Sequence, residues 1–570
     1  GGTKTFSAII GGTRIKNLDI DDTAIFNANV TTTTLTSASA NYDITFNANL
    51  TVTSTTTFSN TGTVTFGDAT GDTFTFTGGI TATAPGVIAV VTNGITAAGS
   101  AVINLGATSV TFANTATVGG TSTGAITLGD TTLANGVTLT VGTGRGNAIT
   151  LNAVSGTAGG STSNLTLNST GALNLSDTLG TDLGTVTITQ SAGVTFSTIS
   201  IATVALTDTS GDVTFNGNVT LTSLTTASQD YNVIFNGSSN TITNAVTFSN
   251  SGTLTFGNGS GDSSTFNDGL TTTAPSQINI GGTLQTSNDA MSLGDSDTAI
   301  VLVANTTLNA GSAALTLNAT VNGGYTLTLN STDATTFAGV VGGSTALTGI
   351  NTNASGTVVF NTTAIETNGD QLYRENATIG GDITFTTGNN DLTFPGTVNS
   401  VSSTKTLDIV AGSGDVTFSG TVGGSEALGN TTIGVAGLTV GAIKVQGTLG
   451  ITNSAASSIT GIISNGDTAA ILTKAGDGTL TLSGDNTYTG ATTVSAGILS
   501  ITHADSLGAT DGATTVASGA SLQLSNAINV ADAITISGTG ISNNGAIRST
   551  SGNNTLSGLI TVAANMEIQT

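Results

Sequence analysis

The chain has 570 residues, of which only 7% are charged and 37% are hydrophobic, and its net charge is −24. Nine Lys and Arg residues, scattered against 33 Asp and Glu residues, exclude a nucleic-acid partner or an anionic membrane surface, because both require clustered cations. Disordered chains combine low hydrophobicity with high charge density, which is the reverse of this balance, so we expect the chain to fold.

Cysteine is absent, which excludes disulfides and thiolate metal sites. The longest apolar stretch, Pro85 to Val91, is far shorter than the ~18 residues of a membrane span, so no transmembrane segment is expected. The chain opens without Met or an apolar leader and ends in "NMEIQT" without a translocator barrel or an anchor. We interpret it as a processed product or as an excerpt of a longer protein.

Short runs in which apolar residues alternate with Thr follow one another from the first residues to the last, and Gly-Asp, Asn-Gly, Ser-Gly or Gly-Gly pairs close them. Alternation with period two indicates half-buried strands, and those pairs supply the tight turns between them. Representative apolar pairs, in chain order, are Val64 and Phe66, Phe74 and Phe76, Leu165 and Leu167, Val186 and Ile188, and Leu480 and Leu482.

Two long segments of the chain are near copies of each other. Residues 57–85 and 247–275 are identical at 18 of 29 positions, and the similarity extends back through Tyr42 and its counterpart Tyr231. A shorter repeat links "FAGVVGGSTAL" from Phe337 to "FSGTVGGSEAL" from Phe418. We predict four blocks: 1–190 and 191–380 as two copies of one solenoid block, 381–470 as shorter coils, and 471–570 as a final repeat with terminal coils.

Repetition favours a β-solenoid over a string of β-sandwich domains, since the apolar residues are spread evenly and Trp is absent. Each coil of a solenoid buries only a slim interior against its neighbours, so blocks of coils are easily duplicated. The predicted fold is therefore all-β, an elongated rod of stacked parallel strands. With roughly 20 residues per coil, we expect about 28 coils and a rod on the order of 130 Å long.

Carboxylates offer the main candidate site residues. "DIDD" places Asp19 and Asp21 on one strand face with Asp22 at the turn, and "LGDSD" offers Asp295 and Asp297. The favoured interpretation is solvated turns and strand ends, and a Ca²⁺ site built from these oxygens is the alternative. We identify no catalytic residues and no cofactor besides this Ca²⁺.

Other motifs are assigned to structure. His503 is the only histidine, so catalytic triads and zinc sites based on His or Cys are excluded, and it is expected to be a lone surface residue. The Gly-Asp segments at Gly67 and Gly257 lack the tandem pattern of calcium β-rolls and are expected to be turns. "GTGRGN" around Arg145 lacks the helix and the Lys-Ser/Thr ending of a phosphate loop.

Residues Leu472 to Ile501, "LTKAGDGTLTLSGDNTYTGATTVSAGILSI", resemble the autotransporter-associated β-strand repeat of bacterial surface-protein passenger domains. The pattern is carried by Gly478, Leu480, Leu482, Gly484, Asn486, Tyr488, Gly490, Val494, Gly497 and Leu499. Upstream, "IETNGDQLYRENATIGGDITF" and "GDVTFSGTVGGSEALGNTTI" are similar to repeats of filamentous-haemagglutinin-like proteins. The resemblance implies a right-handed parallel β-helix that is exported to the bacterial cell surface or the extracellular matrix.

Three functions remain open. The first is a non-enzymatic extracellular structural protein (a filament, a stalk or a surface-layer subunit) that associates with its own copies. The second is an adhesin that binds a host cell or a glycan surface, and the third is a β-helix polysaccharide lyase or hydrolase. The first is favoured because no long irregular insertion could build a site. The apolar first and last coils, "TKTFSAIIGGTRI" and "LITVAANMEI", predict association through solenoid ends or edges.

Overall fold

The computed structural model describes residues 2–402 and 404–569, without the side chains at positions 12–14, 565, 566 and 569. Positions 12–14, 565 and 566 belong to the two predicted terminal coils, and at these positions the coils lie outside the described side chains. The described residues form 66 β-strands and one 3-10 helix, Ile541–Asn543. None of the helices in this part of the chain is long and apolar enough to cross a membrane.

The chain divides into two compact units, Gly1–Asn279 and Ile280–Thr570. The division separates regions with many internal contacts and does not test the sequence repeats. The four sequence blocks therefore remain a prediction. Strands β1 to β33 lie in the first unit; strands β34 to β66 follow, and the division falls within β34.

The strands β1 to β33 are, in order, Lys4–Phe6, Ile10–Ile20, Ala24–Phe26, Val30–Ser37, Ile44–Phe46, Leu50–Val52, Thr56–Thr57, Thr63–Phe66, Phe74–Phe76, Ile80–Thr81, Val87–Val90, Gly94–Ala97, Ile103–Leu105, Ser109–Phe112, Ala116–Gly120, Ile126–Leu128, Thr131–Leu133, Thr138–Arg145, Ile149–Leu151, Val154–Gly156, Ser163–Ser169, Leu173–Leu175, Leu183–Gln190, Val194–Phe196, Ile199–Leu206, Val213–Phe215, Val219–Thr225, Val233–Phe235, Ser239–Ile242, Val246–Thr247, Thr253–Phe256, Ser263–Phe266 and Leu270–Thr272.

The strands β34 to β66 are, in order, Gln277–Thr286, Met291–Leu293, Ala299–Gly311, Leu315–Leu317, Thr320–Asn322, Thr326–Ser331, Ala334–Phe337, Gly349–Thr352, Thr357–Phe360, Ala364–Glu366, Gln371–Leu372, Asn376–Ile379, Ile383–Thr386, Leu392–Phe394, Val398–Ser400, Leu407–Val410, Val416–Phe418, Thr431–Val435, Leu438–Val440, Ile443–Asn453, Ser457–Ile459, Ile463–Ala475, Thr479–Leu482, Thr492–Val494, Ile498–Ile501, Thr514–Val516, Ser521–Leu524, Asn529–Val530, Ile534–Gly538, Ile547–Ser549, Thr555–Leu556, Ile560–Met566 and Ile568–Gln569.

Each strand pairs in parallel with strands one coil away, which confirms the predicted parallel β-solenoid. The described residues form about 25 turns, so the expected number of 28 is too high. The reason is coil length: register partners are 20 residues apart at Phe6 and Phe26 but 24 apart at Phe66 and Val90. The right-handed winding stays a prediction.

Part of the core of the first unit consists of columns of stacked rings, among buried Val, Leu and Ile side chains. Phe6, Phe26 and Phe46 lie in register on β1, β3 and β5, with consecutive ring centroids 4.8 Å apart and nearly parallel planes. Parallel strands lie about 4.8 Å apart, so identical inward residues in successive coils meet face to face. The 20-residue spacing of these three Phe residues is therefore the length of their coils.

The duplicated segment rebuilds the same core. Phe215 stacks on Phe196 at 4.8 Å and on Phe235 at 4.9 Å, which matches the geometry of the first copy. Edge-to-face contacts are also repeated, since Phe58 and its counterpart Phe248 each lie perpendicular to a neighbouring ring. The sequence repeat thus corresponds to a repeated interior.

Both copies contain the same buried corner. The Asn60 side chain donates a hydrogen bond to the Tyr42 carbonyl at 3.0 Å, and Asn250 does the same to Tyr231 at 3.1 Å. The two tyrosines are 7% and 3% exposed. Their hydroxyls differ: Tyr42 donates to the Ile20 carbonyl, whereas the hydroxyl of Tyr231 accepts from the backbone N–H of Ala227. The repeated tyrosine is thus buried at equivalent positions of the two copies.

Candidate functional site

The first acidic candidate lies at the end of β2. Asp19 is inside this strand, where its carboxylate accepts a hydrogen bond from the hydroxyl of Thr36, whereas Asp21 lies just beyond the strand end at Ile20. Asp22 forms a turn, since its Oδ1 accepts the backbone N–H of Thr23 at 2.9 Å. Asp19 and Asp21 therefore do not share a strand, although they line one cavity of about 60 Å³ together with Asp22.

The second acidic candidate is a closed turn after β35. Asp295 Oδ1 accepts hydrogen bonds from the Asp297 N–H at 3.0 Å and from the N–H and hydroxyl of Thr298 at 3.1 and 2.9 Å. The hydroxyl of Thr298 contributes most to lowering the pKa of Asp295. In the described chain, none of the five predicted Ca²⁺ ligands belongs to a group of three metal-ligating side chains. Calcium binding there stays a prediction.

The two Gly-Asp segments form the same turn. Asp262 Oδ2 accepts the backbone N–H groups of Asn258 and Gly259 at 2.9 and 3.0 Å. Asp72, its counterpart 190 residues earlier, accepts two backbone N–H groups at 3.2 Å. Each carboxylate closes its turn by accepting the N–H groups three and four residues before it, and the two segments are turns, as the sequence predicts. Arg145 is the last residue of strand β18, so the glycines around it do not open a helix.

The structure assembles a cluster that the sequence did not indicate. Asp485, His503 and Asp505 each offer a ligand atom, and these atoms lie within 4.8 Å of one another. Asp485 follows β56, and the other two follow β58, the strand paired in register with β56. His503 is therefore not a lone surface residue, and the exclusion of zinc sites based on His or Cys does not cover one His with two carboxylates. Coil spacing was the available signal, because residues about one coil apart lie side by side in a solenoid.

Hydrogen bonds fix the imidazole at this cluster. The backbone N–H of Asp505 donates to His503 Nδ1 at 3.2 Å, and the Asp505 carboxylate lies 3.8 Å from the same nitrogen. The backbone N–H of His503 donates to the buried hydroxyl of Ser506 at 3.2 Å, which holds the main chain at this position. The ring is 43% exposed and the Asp505 side chain 58% exposed, so solvent reaches the cluster.

Two acidic side chains are buried elsewhere in the second unit. Glu375 is 2% exposed; one of its oxygens accepts from Thr352, and the other has no partner among the described residues. Burial raises its pKa. Asp532 is also 2% exposed, with Oδ1 unpartnered within the described part of the chain, and burial raises its pKa to about 6, with a smaller contribution from the charge of Asp505.

Lys474 is a fully buried cation on β55. Its Nζ donates hydrogen bonds to the carbonyls of Ala475 and Gly476 at 2.7 Å and of Ala496 at 3.2 Å. Burial lowers its pKa from 10.5 to about 8. Since Ala496 belongs to the following coil, the ammonium group joins two successive coils through their backbones.

A shallow groove crosses the outer face of the second unit. It has a volume of about 310 Å³ and contains one carboxylate, Asp370, and one cation, Arg374. Arg374 Nη1 donates to the Thr352 carbonyl at 2.8 Å and to the Asn351 side chain, which holds the guanidinium against the sheet. This lining suits polar ligands such as sugars, whereas acid–base cleavage of a glycosidic bond requires a pair of carboxylates.

The comparisons with known proteins concern one segment. Residues 472–501 match the family model of the passenger-associated-transport-repeat, the same residues on which the sequence resemblance rests. A search of curated proteins and a search of solved structures give no match. The repeat and the β-solenoid together fit an autotransporter-passenger-like β-helix protein. The similarity of the upstream coils to filamentous-haemagglutinin-like repeats stays a prediction.

Proposed function

We propose that the chain is a non-enzymatic extracellular structural protein of a bacterial surface, serving as a filament, stalk or surface-layer subunit. The observation that carries this proposal is the uniform construction of the coils. The two longest connections between consecutive strands in the described chain are only 419–430 and 502–513. Loops are where binding and catalytic sites usually form. The passenger repeat is the support for a secreted or surface-exposed location.

Self-association is part of the same proposal. Phe6 and Ile9, at the first strands of the first unit, are 40% and 66% exposed, and Leu559 and Val562, at the last strands of the second unit, are 72% and 52% exposed. Strand edges with unpaired backbone groups and apolar side chains accept a further parallel strand. We assign this role to a second copy of the chain, whose outermost coil would continue the ladder and cover these side chains.

Sedimentation tests the association. The unmodified chain should form larger species as its concentration rises, and electron micrographs should show fibres or a lattice. The double substitution Leu559→Asp and Val562→Asp should reduce the association, because charges on a strand edge oppose pairing. Val401→Asp is the matched control, since Val401 is 56% exposed in a connection between strands. A stable monomer at high concentration, or an equal effect of the control, would contradict the proposal.

An adhesin is the alternative that a specific observation favours, namely the groove with Asp370 and Arg374. Screening of the chain against immobilised neutral and acidic glycans tests this. Specific binding that Arg374→Ala abolishes would support the adhesin over the purely structural role. A polysaccharide lyase or hydrolase is ranked last, and release of new sugar ends from a bound polysaccharide would identify it.

A further inference from the structure

The Asp485–His503–Asp505 cluster lies at a corner of the second unit where two long connections between strands are stacked on each other. The connection 502–513 is one of the two longest in the described chain, and 483–491 is stacked against it in the preceding coil. The stacking is direct: the backbone N–H of Asn486 donates to the Asp505 carbonyl at 3.2 Å. Three metal-ligating side chains from two coils therefore share one exposed corner.

The corner is held in place before any ligand arrives. Asn486 Nδ2 donates to the Ser506 carbonyl at 2.6 Å, and the Ser506 hydroxyl donates to the Leu482 carbonyl at 3.0 Å. Both side chains are buried, at 3% and 0% exposure. Ligands held by such contacts need little reorganisation to bind a cation, which favours binding.

The charge of the corner is uncompensated. Within the described residues, neither Asp485 nor Asp505 forms an ion pair with a Lys or Arg side chain. A third carboxylate, Asp532, is buried in the following coil, and its Oδ1 has no hydrogen-bond partner in the described structure. A solvent-accessible corner with this concentration of negative charge attracts cations.

We propose that Asp485, His503 and Asp505 bind one divalent first-row transition-metal ion, Zn²⁺ in the first instance, as a clamp between two successive coils. One imidazole nitrogen and two carboxylate oxygens match the ligand preference of Zn²⁺, whereas Ca²⁺ and Mg²⁺ take oxygen ligands. Three protein ligands leave a coordination position for water. Because one ligand belongs to the preceding coil, the bound ion would stabilise the folded stack and not the unfolded chain.

Titration calorimetry with Zn²⁺ alone, on the full chain stripped with a chelator, tests the proposal. We expect one ion per chain and a rise in the melting temperature on binding. His503→Ala and Asp485→Asn should each weaken Zn²⁺ binding roughly tenfold or more. Asp511→Asn is the matched control, because Asp511 is an exposed acidic residue on the same connection but outside the cluster. It removes the same charge and should change the affinity less than about twofold.

Co²⁺ provides a second measurement, since its visible absorption reports nitrogen ligation directly. The Co²⁺ spectrum should change when His503 is replaced, and circular dichroism should confirm that the variant remains folded. Equal Zn²⁺ affinity in His503→Ala and the unmodified chain would overturn the proposal, as would a total absence of stoichiometric binding. Tighter binding of Ca²⁺ than of Zn²⁺ would overturn it too, because it would show a site made by carboxylates alone.

Discussion

The buried Lys474 should make the stability of the second unit depend on pH in an unusual direction. Its side chain is 0% exposed, and burial lowers its pKa to about 8, against 10.5 for the free side chain. As the pH rises past 8, the folded chain releases this proton first, while the unfolded chain retains it until about 10.5. The unfolded state then binds more protons than the folded state, so stability rises with pH in this window.

The magnitude follows from the two pKa values. Between pH 7.5 and pH 9.5, linkage gives a gain in unfolding free energy of at most about 1.8 kcal/mol. The three carbonyl acceptors around Nζ stabilise the charged form, so the measured gain should lie below this figure. The buried tyrosines oppose part of this gain, because burial raises the pKa of Tyr42, Tyr231, Tyr373 and Tyr488. Free tyrosine is already partly ionised at pH 9.5, so together they reduce the gain by up to roughly 0.6 kcal/mol.

Urea unfolding of the chain at pH 7.5 and 9.5 measures the effect, with Lys474→Met and Lys444→Met as the two variants. Lys444 is only half-buried on the neighbouring strand β53, so its replacement should leave the pH dependence intact. Lys474→Met should abolish it. Solenoids unfold in parts, so hydrogen exchange of amides on β55 and β57, corrected for intrinsic rates, should accompany the urea measurement.

The reasoning fails if the Lys474→Met variant keeps the rise in stability between pH 7.5 and 9.5. It also fails if the unmodified chain loses stability over this range. Such a loss would mean that folding raises the pKa of Lys474, so that its surroundings favour the charged ammonium group.

Three further predictions concern glycine geometry, a buried acid and the ring stack. Gly497→Ala should lower stability by about 2 kcal/mol or more, because Gly497 has φ +66° and a Cβ there would lie 2.3 Å from a carbonyl oxygen. Gly441→Ala is the control in parallel thermal melts, because a Cβ at Gly441 would meet open space. Asp532→Asn should stabilise the chain by up to about 3 kcal/mol at pH 7 but not at pH 4, because the pKa of Asp532 is about 6 in the folded chain and 3.8 in the unfolded chain. The stability of the unmodified chain therefore falls as the pH rises between these two values. Denaturation in EDTA at both pH values checks this, and equal effects of the substitution at both would contradict it. Phe235→Ala should cost about 3–5 kcal/mol of stability and lower hydrogen-exchange protection mainly in the adjoining coils. Replacement of the outward-facing Ile234 by Ala should change little. A loss of protection spread evenly along the chain would contradict the view that each coil is stabilised only by its neighbours.

Much of the fold was predictable because solenoid order is local. The alternation at Leu480 and Leu482 predicts one strand with one buried face, and the structure has both residues at 0% exposure on β56. The repeat between Phe46 and Phe235 predicts equivalent positions, and each ring stacks on its predecessor. The number of coils was less predictable, because coil length is set by turns whose residues carry a weaker pattern than the strands.

The candidate site shows where prediction from the sequence ends. Asp19, Asp21 and Asp22 are adjacent in the chain and therefore attract notice, yet Asp19 is hydrogen-bonded to a hydroxyl of the next coil and Asp22 to its own turn. Asp485 and His503 are 18 positions apart, and nothing in either segment alone marks them as partners. Only the register between β56 and β58 brings them together.

The sequence by itself determined that this chain forms short strands with one apolar face and that its coils repeat, because inward and outward positions differ in side-chain chemistry at every second residue. Tertiary structure alone decided which polar groups of successive coils meet. Lys474 occupies an inward position that the alternation already indicates, but the Ala496 carbonyl that accepts a hydrogen bond from its ammonium group comes from the following coil. The physical reason is that a contact between coils depends on the length of the connection between them, and that length is fixed by how the turns pack.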